Sequence, residues 1–147
     1  MAQNVRRLAC PPQAVFDVLA DGWLYPVWVV GAMRMRDVDR RWPRPGGRLH
    51  HSVGIWPIHL DDVTESREWD PPRRAVFRAK GWPIGEAVVA IEAKPVGGGC
   101  LVRIVEEAVE GPARFIPSIV RRPVLHARNS ETLRRLGYIA EGRWEGR

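Results

Sequence analysis

Residues 117–140 read PSIVRRPVLHARNSETLRRLGYIA, and this stretch decides the fold because it predicts one long helix in a chain otherwise rich in strand patterns. Apolar residues and one amide recur at the spacing of a single helical face. The residues of this stripe are Leu125, Asn129, Leu133, Leu136 and Ala140. His126 borders the stripe. Asn129 and His126 are therefore either satisfied locally at the edge of a core or directed toward a cavity.

Proline and glycine leave two interpretations of how this helix begins and ends. Pro123 lacks a backbone donor and would kink a helix interior. The sequence therefore predicts either a short turn at Pro117–Arg122 with the main helix starting at Pro123, or one kinked helix. Gly137 and Gly142 predict fraying or capping near the end.

Upstream of the helix, alternating segments separated by turn residues predict an antiparallel sheet with one covered face. A first strand and two helical segments come first, at Val5–Cys10, Pro12–Leu19 and Trp23–Val30, with Pro26 interrupting the last. Further strands are predicted at Met33–Asp39, Arg48–Ile55, Leu60–Trp69, Arg74–Gly81, Glu86–Lys94 and Leu101–Val109. The predicted fold class is α+β, with a curved sheet of about seven strands around a long C-terminal helix. Since a helix is only ~10 Å across, we expect a cavity between sheet and helix.

Length and composition indicate one soluble domain. The chain has 147 residues, of which 45% are hydrophobic and 27% charged, as is ordinary for a globular protein. The first residues lack the apolar core of a signal peptide. The longest uncharged run, Gly22–Met33, is shorter than the ~20 residues that a helix needs to cross a bilayer. We expect a cytoplasmic protein with no integral membrane segment, as a monomer or homodimer.

Charge, cysteine and histidine patterns argue against several classes of site. The net charge is +6, but the arginines are scattered as pairs with acids between them, which indicates a solvated surface and no nucleic-acid footprint. Cys10 and Cys100 do not form a CxxC motif, so we expect free thiols. If the first and last strands pair, these cysteines should be neighbours. No metal-binding spacing joins the four histidines, and we expect no metal and no cofactor.

Adjacent histidines in the second predicted strand of the meander give the first candidate for site chemistry. On a strand, His50 and His51 point to opposite faces, and alternation places His51 on the inward face with Leu49, Val53 and Ile55. An inward histidine is most often hydrogen-bonded structure. It can also act as acid or base near neutral pH.

Five segments carry a family resemblance that covers nearly the whole chain. They are PPQAVFDVLADGWLYPVWVVG at 11–31, WPRPGGRLHHSVGIWP at 42–57, DDVTESREWDPPRRAVFRA at 61–79, VGGGCLVRIVEEAVEGP at 96–112 and RNSETLRRLGYIAEG at 128–142. On these motifs the chain resembles the SRPBCC superfamily, the START-like or birch-pollen-allergen-like helix-grip fold. The nearest resemblance is to its bacterial polyketide cyclase/dehydrase or lipid-transport-like members. The resemblance implies a cavity for an apolar or aromatic small molecule.

The resemblance also implies which residues line that cavity. The helix-grip fold places the second helix and the strand-breaking loops around the entrance, which selects Trp28, Trp56 and Trp82. The family pattern turns Val102, Ile104 and Glu106 inward. A buried carboxylate needs a partner or a raised pKa, and Arg67 or Asn129 could supply the partner of Glu106. The full set of expected ligand-binding residues is Trp28, His51, Val53, Trp56, Phe77, Trp82, Ile104, Glu106, His126 and Asn129.

Three functions remain open at this point. The first is binding or carriage of a hydrophobic small molecule, such as a polyketide, a lipid or an aromatic metabolite. The second is a polyketide cyclase/dehydrase-type enzyme in which His51 or Glu106 moves protons. The third is an interaction or stress protein whose cavity is filled by its own side chains, as core packing of the large aromatics would produce.

Overall fold

A computed structural model of the chain describes residues 2–55, 57–81, 85–110 and 115–146. Its seven strands are β1 (Ala2–Leu8), β2 (Ala32–Val38), β3 (Arg48–Ile55), β4 (Ile58–Asp70), β5 (Arg74–Gly81), β6 (Gly85–Val96) and β7 (Gly99–Glu110). They form one antiparallel sheet in the order β1-β7-β6-β5-β4-β3-β2. The predicted α+β helix-grip architecture is confirmed.

Three helices cover one face of this sheet. They are α1 (Pro12–Ala20), α2 (Tyr25–Trp28) and α3 (Ser118–Glu145), and a 3₁₀ turn at Gly22–Leu24 leads into α2. The long helix α3 packs against β1, α1 and α2. No helix within the described ranges combines the length and the apolar character needed to cross a bilayer.

Strand alternation separates a buried inner face from an outer one, as the sequence predicts. On β7, Val102, Ile104 and Glu106 are buried, whereas Arg103 and Glu107 are exposed. Leu49 and His51 of β3 are buried in the same way. On the helical side, Leu133, Leu136 and Ala140 of α3 complete the core. Apolar burial between these two layers supplies the main driving force for the fold.

The ends of several elements differ from the prediction. The first strand spans Ala2–Leu8 and not Val5–Cys10, because the chain bends away from the sheet before the two prolines. Pro26 does not interrupt its segment, since it lies in the first turn of α2, where a missing N–H costs nothing.

The long helix also passes through the residues expected to break or end it. Pro123 lies inside one continuous helix, so the interpretation with two separate segments is wrong. Gly137 and Gly142 do not end it either. At Gly137 a Cβ would lie 2.6 Å from Leu8 Cδ2, so the bare glycine allows α3 to approach β1 closely. Tertiary packing thus overrides the low helix propensity of glycine.

The two cysteines are neighbours, as the predicted strand pairing implies. Leu8 pairs with Cys100 across β1 and β7, and Cys10 follows two residues later. Both are buried free thiols, as expected. Burial, together with the adjacent Cys100 thiol, raises the pKa of Cys10 to about 12.

The start of β7 should tolerate no side chain. A Cβ on Gly99 would overlap the carbonyl oxygen of Leu8, whereas a Cβ on Gly97 meets nothing within 4 Å. Gly99→Ala should therefore lower the free energy of unfolding by about 1–3 kcal/mol, the usual cost of overpacking. Urea denaturation measures this change, with Gly97→Ala as the matched control. Equal stability of the two variants would contradict the proposed backbone contact.

Candidate functional site

A hydrogen-bonded chain of three buried side chains forms the centre of the candidate site. His51 on β3 places Nε2 2.8 Å from Oγ1 of Thr64 on β4. The hydroxyl of Tyr25, from α2, lies 2.9 Å from the same Oγ1. The Tyr25 and His51 rings also stack, with centroids 5.1 Å apart. The one-turn helix α2 thus fixes the orientation of the histidine from above the sheet.

The Thr64 hydroxyl has a single proton, so it can donate to only one of its two neighbours. Tyr25 can donate to Thr64 and Thr64 to Nε2, which leaves a proton on Nδ1 of His51. In the opposite direction Nε2 donates to Thr64, and Nδ1 is a free acceptor. In either direction Nδ1 is buried and has no partner within the described structure. Nδ1 of His51 is therefore available to donate or accept one further hydrogen bond.

Burial keeps both titratable members of this chain neutral. It lowers the pKa of His51 to about 4, because an imidazolium would lose its hydration there and would face the positive charges of Arg36 and His50. Burial likewise raises the pKa of the Tyr25 phenol to about 12, although its hydrogen bond with Thr64 opposes the shift. Near neutral pH the side chains of Tyr25, Thr64 and His51 are therefore all uncharged.

An ion pair lies near Tyr25. Glu106 of β7 is buried and forms a salt bridge with Arg128 of α3, and both charges act on the Tyr25 phenol. Arg128 also donates to Oδ1 of Asn129 at 3.5 Å. The carboxylate and the guanidinium compensate each other, which is what a charge at this depth requires. The two expected partners of Glu106 do not pair with it. Arg67 pairs with Glu65, and Nδ2 of Asn129 has no partner within the described structure.

Two amides, Asn4 and Asn129, complete a group of polar side chains that we call the polar layer. Its other members are Tyr25, His51, Thr64, Glu106, His126 and Arg128. Nδ2 of Asn4, on β1, lies 3.2 Å from Nδ1 of the exposed His126 and donates to the His126 carbonyl at 3.0 Å. Asn4 and Asn129 are 6% and 1% exposed, yet Oδ1 of Asn4 and Nδ2 of Asn129 have no protein partner within the described structure. Leaving a buried polar group unpaired costs about 1–3 kcal/mol. Each of these two amide atoms could therefore form one further hydrogen bond.

The structure brings together four of the residues that the sequence selected. His51, Glu106, Asn129 and His126 all belong to this polar layer through the contacts described above. Trp28 is buried beside it, with its ring 5.4 Å from that of Tyr25 and nearly perpendicular to it.

Two further selected residues are buried in the core, and three lie outside the described part of the chain. Ile104 is buried next to Asn4 in the β1–β7 register. Phe77 is buried with its ring stacked on Trp42, 5.1 Å away. Trp56, Trp82 and the side chain of Val53 lie outside the described residues.

Sequence reasoning did not select four members of the layer: Asn4, Tyr25, Thr64 and Arg128. Thr64 had a usable signal, because strand alternation puts it on one face with Ser66, and both are fully buried. Asn4 was missed because the predicted first strand began at Val5, three residues after the observed start at Ala2. Tyr25 and Arg128 depend on contacts between distant segments, for which the sequence carries no local signal.

No group of three or more potential metal ligands occurs among the residues that the structure describes.

A family model described as "Polyketide cyclase / dehydrase and lipid transport" matches residues 2–137. The chain belongs to this family. None of the curated proteins matches it by sequence.

Solved structures share the family fold at low sequence identity. NE0264 from Nitrosomonas europaea has a TM-score of 0.73 at 18% identity, covering 96% of this chain and 94% of that one. The di-domain ARO/CYC StfQ from the steffimycin biosynthetic pathway has a TM-score of 0.73 at 15% identity, covering 96% and 50%. Ara h 8.0201 has a TM-score of 0.66 at 14% identity, covering 93% and 95%. At these identities the likeness concerns the fold alone.

Proposed function

We propose that the protein binds a hydrophobic or aromatic small molecule, such as a polyketide, a lipid or a related metabolite, between the sheet and α3. The observation that carries the proposal is the set of three buried polar atoms without a protein partner: Asn4 Oδ1, His51 Nδ1 and Asn129 Nδ2. Buried apolar side chains such as Trp28 and Ile104 belong to the same core. An apolar molecule with one polar end satisfies both features.

The polar end of this ligand is uncharged in our proposal. Glu106 and Arg128 already compensate each other, and His51 is neutral near pH 7 because its pKa is about 4. A buried ionised head group would therefore find no free counter-charge and would bear the full cost of desolvation. A hydroxyl, phenol or carbonyl group instead fits a pair of amides and a neutral imidazole.

Paired aromatic probes test this proposal. 2-Naphthol should bind the protein about fivefold more tightly than naphthalene, since one added hydrogen bond contributes about 1 kcal/mol. Asn129→Leu, which keeps the side-chain volume, should abolish that preference and leave naphthalene binding unchanged. Calorimetric or tryptophan-fluorescence titration measures both affinities.

Ser130, the exposed neighbour of Asn129 on α3, provides the control for this experiment. Ser130→Ala changes the next residue of α3, which is exposed, and should keep the preference for 2-naphthol. If neither probe binds, or if the wild-type protein binds both equally, the proposal is wrong.

Proton transfer in a cyclase/dehydrase-type reaction is the second candidate function. The chain Tyr25–Thr64–His51 favours it, because a neutral imidazole with an unpartnered Nδ1 can accept a proton. Its lowered pKa, however, makes His51 a weak base. The Glu106 carboxylate already forms a salt bridge with Arg128. Binding therefore ranks above catalysis, with His51 as the preferred acid/base residue of the alternative.

A further inference from the structure

The hydrogen bonds of Tyr25, Thr64 and His51 determine which ring nitrogen of His51 carries the proton. His51 is neutral near pH 7, because its pKa is about 4, so one ring nitrogen is protonated and the other is not. Within the described part of the chain, the Tyr25 phenol has a single hydrogen bond, to Oγ1 of Thr64. The other partner of Oγ1 is Nε2 of His51. The direction in which these groups donate therefore decides the tautomer.

Only one direction gives both hydroxyl protons an acceptor. If Tyr25 donates to Thr64 and Thr64 donates to Nε2, both protons are paired, and the His51 proton lies on Nδ1. In the opposite direction the buried phenol proton of Tyr25 has no acceptor within the described structure. Nδ1 of His51 is unpaired in either direction. Because leaving a buried donor unpaired is costly, the phenol favours the first direction.

The chemistry of the three groups favours the same direction. A phenol is a stronger hydrogen-bond donor than an aliphatic hydroxyl, and a neutral imidazole nitrogen is a stronger acceptor than a phenol oxygen. Donation therefore runs from Tyr25 through Thr64 to His51. The Tyr25 ring also stacks on the His51 ring, which holds Nε2 toward Thr64.

We propose that Tyr25 and Thr64 are positioning residues that fix His51 as a hydrogen-bond donor, through Nδ1, to a carbonyl oxygen of the bound molecule. This inference rests on the proposed function and narrows its neutral polar end to an acceptor. Asn129 likewise offers a donor, Nδ2, whereas Asn4 offers an acceptor, Oδ1. A carbonyl oxygen accepts two hydrogen bonds and brings no proton of its own. The same tautomer leaves Nδ1 no lone pair for the base role of the second candidate function.

NMR spectroscopy of the protein with ¹⁵N-labelled histidine tests the positioning role without any added ligand. Near pH 7 the long-range correlations of His51 should show its proton on Nδ1, and comparison with His51→Gln assigns its signals among the four histidines. Thr64→Val removes the partner of Nε2, so the proton should move to Nε2, which free imidazole side chains prefer. Tyr25→Phe removes the phenol proton and should give a mixture of both tautomers.

Ser66→Ala is the matched control for Thr64→Val. Ser66 is a second buried hydroxyl on the same face of β4, and it donates to the Pro43 carbonyl at 2.7 Å. Its loss should leave the His51 proton on Nδ1. A wild-type proton on Nε2, or a proton that stays on Nδ1 in Thr64→Val, would overturn the positioning role.

A matched pair of probes tests the carbonyl. 2-Acetylnaphthalene and 2-isopropenylnaphthalene have similar shapes, but the oxygen of the first is a methylene group in the second. The ratio of ketone affinity to alkene affinity should fall about fivefold in Thr64→Val, the loss of one hydrogen bond, and should stay unchanged in Ser66→Ala. If the ratio stays constant in Thr64→Val while the wild-type protein prefers 2-naphthol to naphthalene, the carbonyl assignment is wrong and the proposed function stands. If no probe binds, both are wrong.

Discussion

Replacing Arg128 with methionine should lower the free energy of unfolding by about 3 kcal/mol, because the change leaves a buried carboxylate without its counter-charge. Glu106 is only 5% exposed and has Arg128 as its salt-bridge partner. Methionine keeps most of the length of the arginine stem, so the loss reports on charge rather than on packing. Urea denaturation near pH 7 measures the difference in the free energy of unfolding.

Two controls separate this effect from a general cost of losing an arginine. Arg103→Met removes an exposed salt bridge to Glu92 and should cost less than about 1 kcal/mol. The double variant Glu106→Gln/Arg128→Met removes the orphaned charge and should recover most of the stability. If Arg128→Met costs no more than Arg103→Met, the pair does not have the role assigned to it.

Acidification should cost about 3 kcal/mol of stability through His51 alone. Its pKa falls from 6.5 to about 4 on folding, so between these values the unfolded chain binds the additional proton. Stability is therefore intact above about pH 7, declines as the pH falls through 6.5, and levels off near pH 4. The difference between these two pKa values corresponds to about 3 kcal/mol at about 1.4 kcal/mol per pKa unit.

The variant His51→Gln isolates this contribution from that of the carboxylates. Urea denaturation of both proteins at about pH 7 and pH 4 should show a smaller loss in the variant, by about 3 kcal/mol. The adjacent His50 is half-buried and pairs with Asp39 at 2.9 Å. His50→Gln should keep most of the wild-type loss. Equal losses in the wild-type protein and in His51→Gln would show that His51 is not held neutral by burial.

The sheet could be predicted from the sequence because a strand reveals its faces locally. Alternation with period two, bounded by proline and glycine, is sufficient to define Arg48–Ile55 and Arg74–Gly81, and the structure has both strands at those bounds. The path of α3 through Gly137 could not be predicted in this way. There the helix is held by contact with Leu8 of β1, which is far away in sequence.

The sequence predicted the site residues of the sheet and those of α3 separately. Alternation placed His51 inward, and the helical stripe placed Asn129 inward; both are 1% exposed. Two contacts connect the sheet to the helices. Tyr25 stacks on His51, and Arg128 pairs with Glu106. Those contacts arise only when a one-turn helix and α3 close over the sheet, so no local pattern indicates them.

The strand order also constrains how the chain can be assembled. Within the described sheet β1 lies at one end and pairs with β7, Ala2 opposite Glu106 and Leu8 opposite Cys100. Because β1 precedes β7 in the chain, β1 must remain without this hydrogen-bonding partner until β7 has been synthesised. Such non-local pairing slows folding and leaves a strand edge open to other chains meanwhile. We expect the sheet to close only after β7 has been synthesised, and a chaperone that shields residues 2–8 to assist folding.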